Sequence, residues 1–286
     1  MKINHKQYRI VLLTCCLYCF FSLRIFAQMD QEPGEKILGF TLNNFDDKNN
    51  KTWDLSGATL ETFGDVIQLT EVNANVYGEE DNMNLVADTG TYNRTEGKVH
   101  LEDNVVMTSE SGAKMMTDTL DWFQKQQLVT TDDKVNITRG NLEAEGTGAV
   151  AKPDLKQMSL KKEVQVDILP EEKNETVNKI TIVCDGPLDI DYQKGEAVFQ
   201  NNVEAFDGDR QLFADKMTGF FDQESKQIER VVCEGNVKII RGKDTAYSER
   251  AIYSAKDQQV SLVGRPKLII YSQKEKTEEK VEEKAE

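Results

Sequence analysis

Carboxylates are the only chemically active side chains that this sequence repeats at regular intervals. Asp88, Asp118, Glu145, Asp215 and Glu249 each follow a small or hydroxyl-bearing residue, as Ala87-Asp88, Thr117-Asp118, Ala144-Glu145, Ala214-Asp215 and Ser248-Glu249. Asp118, Asp215 and Glu249 could in principle act as acid and base in glycoside cleavage, which needs two carboxyl groups flanking one bond. A catalytic pair is a single constellation, whereas a group returning once per repeat reads as a structural feature of every layer. Four positions after four of these acids stand Tyr92, Trp122, Ala149 and Tyr253, and Phe220 follows Asp215 by five. With Trp53, these rings could form a sugar-stacking platform, but in half-buried strands aromatics more simply fill a core.

The remaining chemistry is sparse. His5 and His100 are the only histidines, so neither a histidine triad nor a multi-histidine metal site can be assembled. Gly146-Thr147-Gly148 is too short to cradle a phosphate. No cofactor and no metal is expected, and the chain is read as a non-enzyme. Cys184 and Cys233 are the two cysteines beyond the first 28 residues. Each ends an apolar run, Ile182-Val183-Cys184 and Val231-Val232-Cys233, where a free buried thiol is ordinary, although pairing in an oxidising compartment stays open.

The elements that must carry these residues begin after an export-type leader. Lys2, Lys6 and Arg9 precede the apolar run Ile10 to Leu23, and Phe26-Ala27-Gln28 offers a cleavage site, so residues 1–28 read as a signal peptide or an N-terminal anchor. The run is shorter than the roughly 20 residues that span a bilayer, which favours a cleaved signal. Removing Lys2, Lys6, Arg9 and Arg24 takes the formal charge from −15 to −19. So acidic a chain, with no basic stripe, does not suit nucleic acid. It would hold an anionic amphiphile by the apolar part.

Beyond residue 37, short apolar and polar alternations are separated by Asn, Asp, Gly and Lys, which predicts an all-β chain. A polar or acidic pair followed by valine recurs as Asp103-Asn104-Val105, Lys134-Val135, Glu163-Val164, Asn201-Asn202-Val203 and Gly235-Asn236-Val237, with Val72 before and Pro266 after. The spacings from Val72 to Pro266 are 33, 30, 29, 39, 34 and 29 residues, and such regularity means stacked units. Each unit is expected to be strand, turn, strand, turn, with the polar pair as a turn. Stacking gives an elongated roll of two sheets enclosing an apolar face, with unpaired backbone at both ends. The longest gap holds Leu169-Pro170-Glu171-Glu172-Lys173-Asn174-Glu175 and is expected to separate domains at 38–168 and 180–271. Residues 272–286 read as a charged, disordered tail.

Several of these runs resemble a known family. Trp53-Asp54-Leu55-Ser56-Gly57-Ala58, Ile67-Gln68-Leu69, Asp103-Asn104-Val105, Leu120-Asp121-Trp122 and Val135-Asn136-Ile137 resemble the periplasmic domain of LptC, of the lipopolysaccharide export machinery. Glu234-Gly235-Asn236-Val237-Lys238-Ile239 and Ala246-Tyr247-Ser248-Glu249-Arg250-Ala251 are similar to the LptA (OstA-like) domain. The resemblance implies two consecutive OstA-like β-jelly-rolls in the periplasm, taking lipopolysaccharide from an inner-membrane ABC-type export complex. It further implies joining end to end with other OstA-like domains toward an outer-membrane translocon. LptC-type proteins keep a membrane helix, so tethering to the inner membrane stays open.

The expected lining of the lipid groove is the alternating set Val105, Met107, Val135, Ile137, Val164, Val166, Val203, Val237 and Ile239, with Leu120 and Trp122. Three other readings fit parts of the pattern. A structural or adhesive β-solenoid would have the same repeats and a filled interior. A carbohydrate-active β-helix would need one layer whose carboxylates break the repeat. An assembly factor would act by strand pairing alone.

Overall fold

The structure, a computed structural model, describes residues 34–78, 81–170, 179–223, 225 and 227–271. The predicted signal or anchor and the charged tail lie outside these residues. Among the described residues seventeen strands follow one another: β1 (Lys36–Phe45), β2 (Lys51–Phe63), β3 (Val66–Tyr77), β4 (Asn82–Asn93), β5 (Lys98–Ser109) and β6 (Ala113–Phe123). Next come β7 (Leu128–Arg139), β8 (Leu142–Lys152), β9 (Gln157–Ile168), β10 (Ile180–Cys184), β11 (Leu188–Asp191) and β12 (Glu196–Asp207). The last are β13 (Arg210–Phe221), β14 (Ile228–Arg241), β15 (Asp244–Ser254), β16 (Gln259–Val263) and β17 (Lys267–Ile269). Among the described residues the only helical turns are two three-residue 3-10 segments.

Apart from β10–β11 and β16–β17, each strand pairs antiparallel with the next, in one continuous meander. The ladder crosses the predicted polar segment without interruption, because β9 pairs with β10 and then β11, and both pair with β12. β16 and β17 likewise share β15.

The polar pairs before the valines are bends inside long strands, not the turns between strands that their composition suggests. Between the pairs Glu102↔Thr119 and Val105↔Thr117, Asp103 and Asn104 oppose the single residue Asp118. Both have left-handed backbones, φ 62° and 52°. Asn201 and Asn202 oppose Asp215 in the same way, and Gly235 and Asn236 oppose Glu249. Asn and Gly accept positive φ readily, and a bulge needs that as much as a hairpin does, so the two devices look alike in sequence. The true hairpins turn at other clusters, such as Gly64-Asp65, Gly140-Asn141 and Gly242-Lys243.

A bend of this kind changes which side chains face inward. Leu101 and Val105 are both buried although the bend lies between them, so the two halves of β5 present apolar faces to one interior. Repeated along the meander, the bends fold the sheet into a two-sided roll. The valine after each bend is sealed: Val105 and Val135 are 0% exposed, Val203 and Val237 1%, Val164 2%. Burying one such side chain contributes about 1.5–3 kcal/mol.

The buried residues form two clusters. One runs from Phe40 to Leu120, and the other from Val135 to Ala251. Cys184 and Cys233 are free and buried. β12 and β13 stand between their strands, a separation of about 14 Å at ordinary strand spacing, which is far beyond disulfide reach.

Candidate functional site

The strongest candidate is the interior of the roll, and its geometry follows from register. On one side of the bend, cross-strand partners run Leu42↔Leu55↔Ala74↔Leu85↔Met107↔Met115↔Ile137↔Ala144. The row continues Val166↔Ile182↔Ala205↔Leu212↔Ile239↔Ala246↔Leu268, reached from Ala144 through its pairing with Val166. Every member is apolar. Fourteen strand spacings of about 4.8 Å make the row roughly 67 Å long.

A second row flanks the other side of the bend. It passes through Ile67, Tyr92, Val99, Trp122, Val129, Ala151 and Met158. From there it runs through Ile190, Ala197, Gly219, Val231, Tyr253 and Val260. Side chains in the two rows are mostly half-buried, whereas those at the bend between them are sealed. The interior is therefore closed along the bend and more accessible toward the strand ends.

All eleven residues expected to line a groove lie in this interior, in two distinct positions. Val105, Leu120, Val135, Val164, Val203 and Val237 sit at the bend, sealed from solvent, and Val166 is buried beside them. Met107, Trp122, Ile137 and Ile239 are half-buried members of the flanking rows. Only these four are placed where a bound chain could reach them without displacing core. The set omitted Leu101, Leu160, Leu188, Phe199 and Met217, the buried residues on the other side of each bend. The valine motif indexes only the residues that follow a bend, and alternation counted backward from it would have found Leu101, Leu160 and Phe199.

Two of the repeated carboxylates, Asp88 and Asp215, are tied to the bends by hydrogen bonds, as is Asp185, which lies outside that series. Asn104 Nδ2 donates to Asp88 Oδ2 at 2.7 Å, Asn202 Nδ2 to Asp185 Oδ2 at 2.6 Å, and Asn236 Nδ2 to Asp215 Oδ2 at 2.9 Å. Each acid ties the bend of one strand to that of a neighbour. Phe220, one position later than the other aromatics, points to the outer face and lies under the Arg230 guanidinium at 4.1 Å. Gly219 takes the inner position in its place.

His100 is also outward. Its ring meets Asp121 Oδ1 at 2.6 Å and Glu102 Oε1 at 2.9 Å, and Lys98 Nζ lies 3.0 Å from the same Asp121 oxygen. Partial burial would lower its pKa, but the two carboxylates outweigh that and raise it. Outside the bends, Asp54 is the most enclosed carboxylate of the outer face of β2 to β4. It accepts from Lys51 Nζ (2.8 Å), Asn75 Nδ2 (2.8 Å) and Tyr77 Oη (2.7 Å).

The two ends of the meander differ from its middle. β1 and the β16–β17 pair hydrogen-bond on one side only among the described residues. They also carry a concentration of exposed apolar residues: Ile37, Leu38, Leu42 and Phe45 at the first end, and Val260, Val263, Leu268 and Ile270 at the second.

The described residues thus form a bent antiparallel roll with an apolar interior. Residues 8–168 match the family described as lipopolysaccharide-assembly, LptC-related, and the chain belongs to that family. Residues 187–281 match the LptA/(LptD N-terminal domain) LPS transport protein family. One chain thus carries an LptC-like segment followed by an LptA-like segment. By their descriptions, one family serves lipopolysaccharide assembly and the other lipopolysaccharide transport.

Among solved structures, the chain is similar to LptH from Pseudomonas aeruginosa, described as the LptA-homologous periplasmic component of the lipopolysaccharide transport device. It is 15% identical over 57% of this chain and 97% of that one, with a TM-score of 0.28. That superposition is too loose to bear on geometry. No curated protein matches the chain.

Proposed function

We propose that this protein binds the acyl chains of lipid A in the interior of its roll and passes lipopolysaccharide along it through the periplasm. The observation that carries this reading is the unbroken apolar row from Leu42 to Leu268. It crosses from the LptC-like to the LptA-like segment with no polar residue, and burying an acyl chain against it would contribute about 25 cal/mol per Å². The sugars and phosphates would stay outside, where an acidic surface gives them no reason to bind.

In this reading the first 28 residues export or tether the chain, and an inner-membrane ABC-type complex loads it. The apolar, singly paired end strands join by β-augmentation to other OstA-like domains that lead to the outer membrane. The fusion replaces one intermolecular joint by the covalent β9 to β10 connection. The two functional units are taken to divide at the polar segment between 168 and 180; the family matches end at 168 and resume at 187. The protein acts passively, without cofactor or metal.

A charge in the middle of the row tests the reading. Ala205→Asp alters a half-buried position, so the protein should fold and export, yet lipopolysaccharide should no longer reach the outer surface in cells that depend on it. Unimpaired transport by a folded Ala205→Asp protein would favour a structural role with a closed core.

A further inference from the structure

The ladder is most interrupted at one place, and it is not the polar segment between the two family matches. Between β6 and β7 the pairing stops at Met116↔Asn136 and resumes at Asp121↔Thr130. Residues 117–120 therefore face residues 131–135 without backbone pairing. The next widest break lies between the β10–β11 pair and β12, where residues 184–187 face residues 200–203, but there the Asp185 N–H donates to the Asn201 carbonyl and the Gln200 N–H to the Pro187 carbonyl. In the other single strand pairs a bend leaves no more than two residues opposite three, as between β4 and β5 or β13 and β14.

Side chains span this gap instead of the backbone. Thr117 Oγ1 lies 3.3 Å from Thr131 Oγ1, both buried on the inner face, and Asp133 accepts from the Thr119 hydroxyl while its own N–H donates to Thr131 Oγ1. Here too the two buried clusters divide, the first ending at Leu120 and the second beginning at Val135, with half-buried Met115 packed against both. By contrast, the second cluster runs unbroken through β9, β10, β11 and β12, so the covalent joint between the two segments is packed as one body.

We infer that the β6–β7 seam is the mechanical joint of the molecule, with β1 to β6 and β7 to β17 moving as two blocks. Local hydrogen bonding and apolar packing set which regions open together; at this seam the gap in the ladder is widest and one buried cluster gives way to the other. The flanking pairs Met115↔Ile137 and Trp122↔Val129 persist on either side, so the blocks tilt without the two apolar rows coming apart. The joint lies inside the LptC-like segment, and the junction with the LptA-like segment is rigid.

Paired spin labels test this in the full exported chain. Cysteines at Glu110 and Asp209 span six strand spacings, about 29 Å, across both the seam and the junction; cysteines at Asn141 and Lys243 span the same number across the junction alone. All four sites are exposed turn positions, and buried Cys184 and Cys233 stay unlabelled under native conditions. The expected result is a distance distribution for the first pair at least about twice as wide as for the second. In addition, Thr117→Val with Thr131→Val, which makes the seam apolar, should narrow the first and leave the second unchanged. Equal widths in the two pairs, or a broader second pair, would overturn the inference.

Discussion

The Asn236 amide donates to the Asp215 carboxylate at 2.9 Å, from a residue whose backbone is left-handed at φ 49°. One side chain thus both accepts the geometry of the bend in β14 and ties it to β13. The preceding Gly235, at φ 76°, has no room for a Cβ, which would collide with the same carboxylate.

The bends are therefore expected to be sensitive to backbone before side chain. Gly235→Ala should destabilise by about 1–3 kcal/mol. Asn236→Ala should lose about 1–2 kcal/mol, and Asn236→Gly clearly less, since only alanine adds left-handed strain. Urea unfolding of the three variants measures this. Equal losses for Asn236→Ala and Asn236→Gly would assign the effect to the hydrogen bond instead.

Position relative to the bend should separate stability from function. Leu160 is fully buried, so Leu160→Ala should cost about 2–5 kcal/mol in equilibrium unfolding. Ile239 is half-buried in a flanking row, and Ile239→Ala should cost less than half as much while weakening lipid retention.

Asp54 should shape the acid limb of stability. Its pKa is held down to about 2, against an ordinary value of 3.8, first by the hydrogen bond from Lys51 and then by those from Asn75 and Tyr77. A depressed carboxylate stabilises the fold fully above its unfolded pKa, and that contribution is lost as pH falls from about 4 toward 2. Solvent around Lys51 limits it to at most about 2 kcal/mol. Asp54→Asn should be less stable than the parent at pH 7 by up to that amount, and the two should converge near pH 2. A constant difference across this range would contradict the assignment.

The two thiols should be inert until the protein unfolds. Burial pushes the Cys233 thiol up to about 12, and Cys184 is raised for the same reason. Mass measurement after alkylation should find Cys184 and Cys233 unmodified in the folded protein at pH 8 and both alkylated in denaturant. Rapid native labelling of either would mean that the second cluster opens readily.

Much of this was legible in the residues. Alternation around Val105, Val135 and Val237 identified the inner face, because a period of two survives whatever the strand does at its ends. The bends were not legible as bends, because Asp103-Asn104 and Asn201-Asn202 are equally good turn formers. Only the register, with two residues opposite one, distinguishes a kinked strand from a hairpin. The same ambiguity hid the difference between sealed Val164 and half-buried Ile137, since parity gives a face but not a distance from the bend. The β6–β7 seam had no signal in the repeat: Thr117 and Thr131 occupy ordinary inner positions, and only their pairing across an open ladder sets them apart.

The most direct test of the carrier reading places a photo-crosslinking residue at Ile137 and at Ile239, one at a time, in cells making lipopolysaccharide. Lys238 serves as the outward control, since its ammonium lies over the outer Phe213 ring. Attachment of lipopolysaccharide at both inner positions and not at Lys238 is the predicted result. A folded, exported protein that captures none at either inner position would contradict the account and leave a closed structural roll.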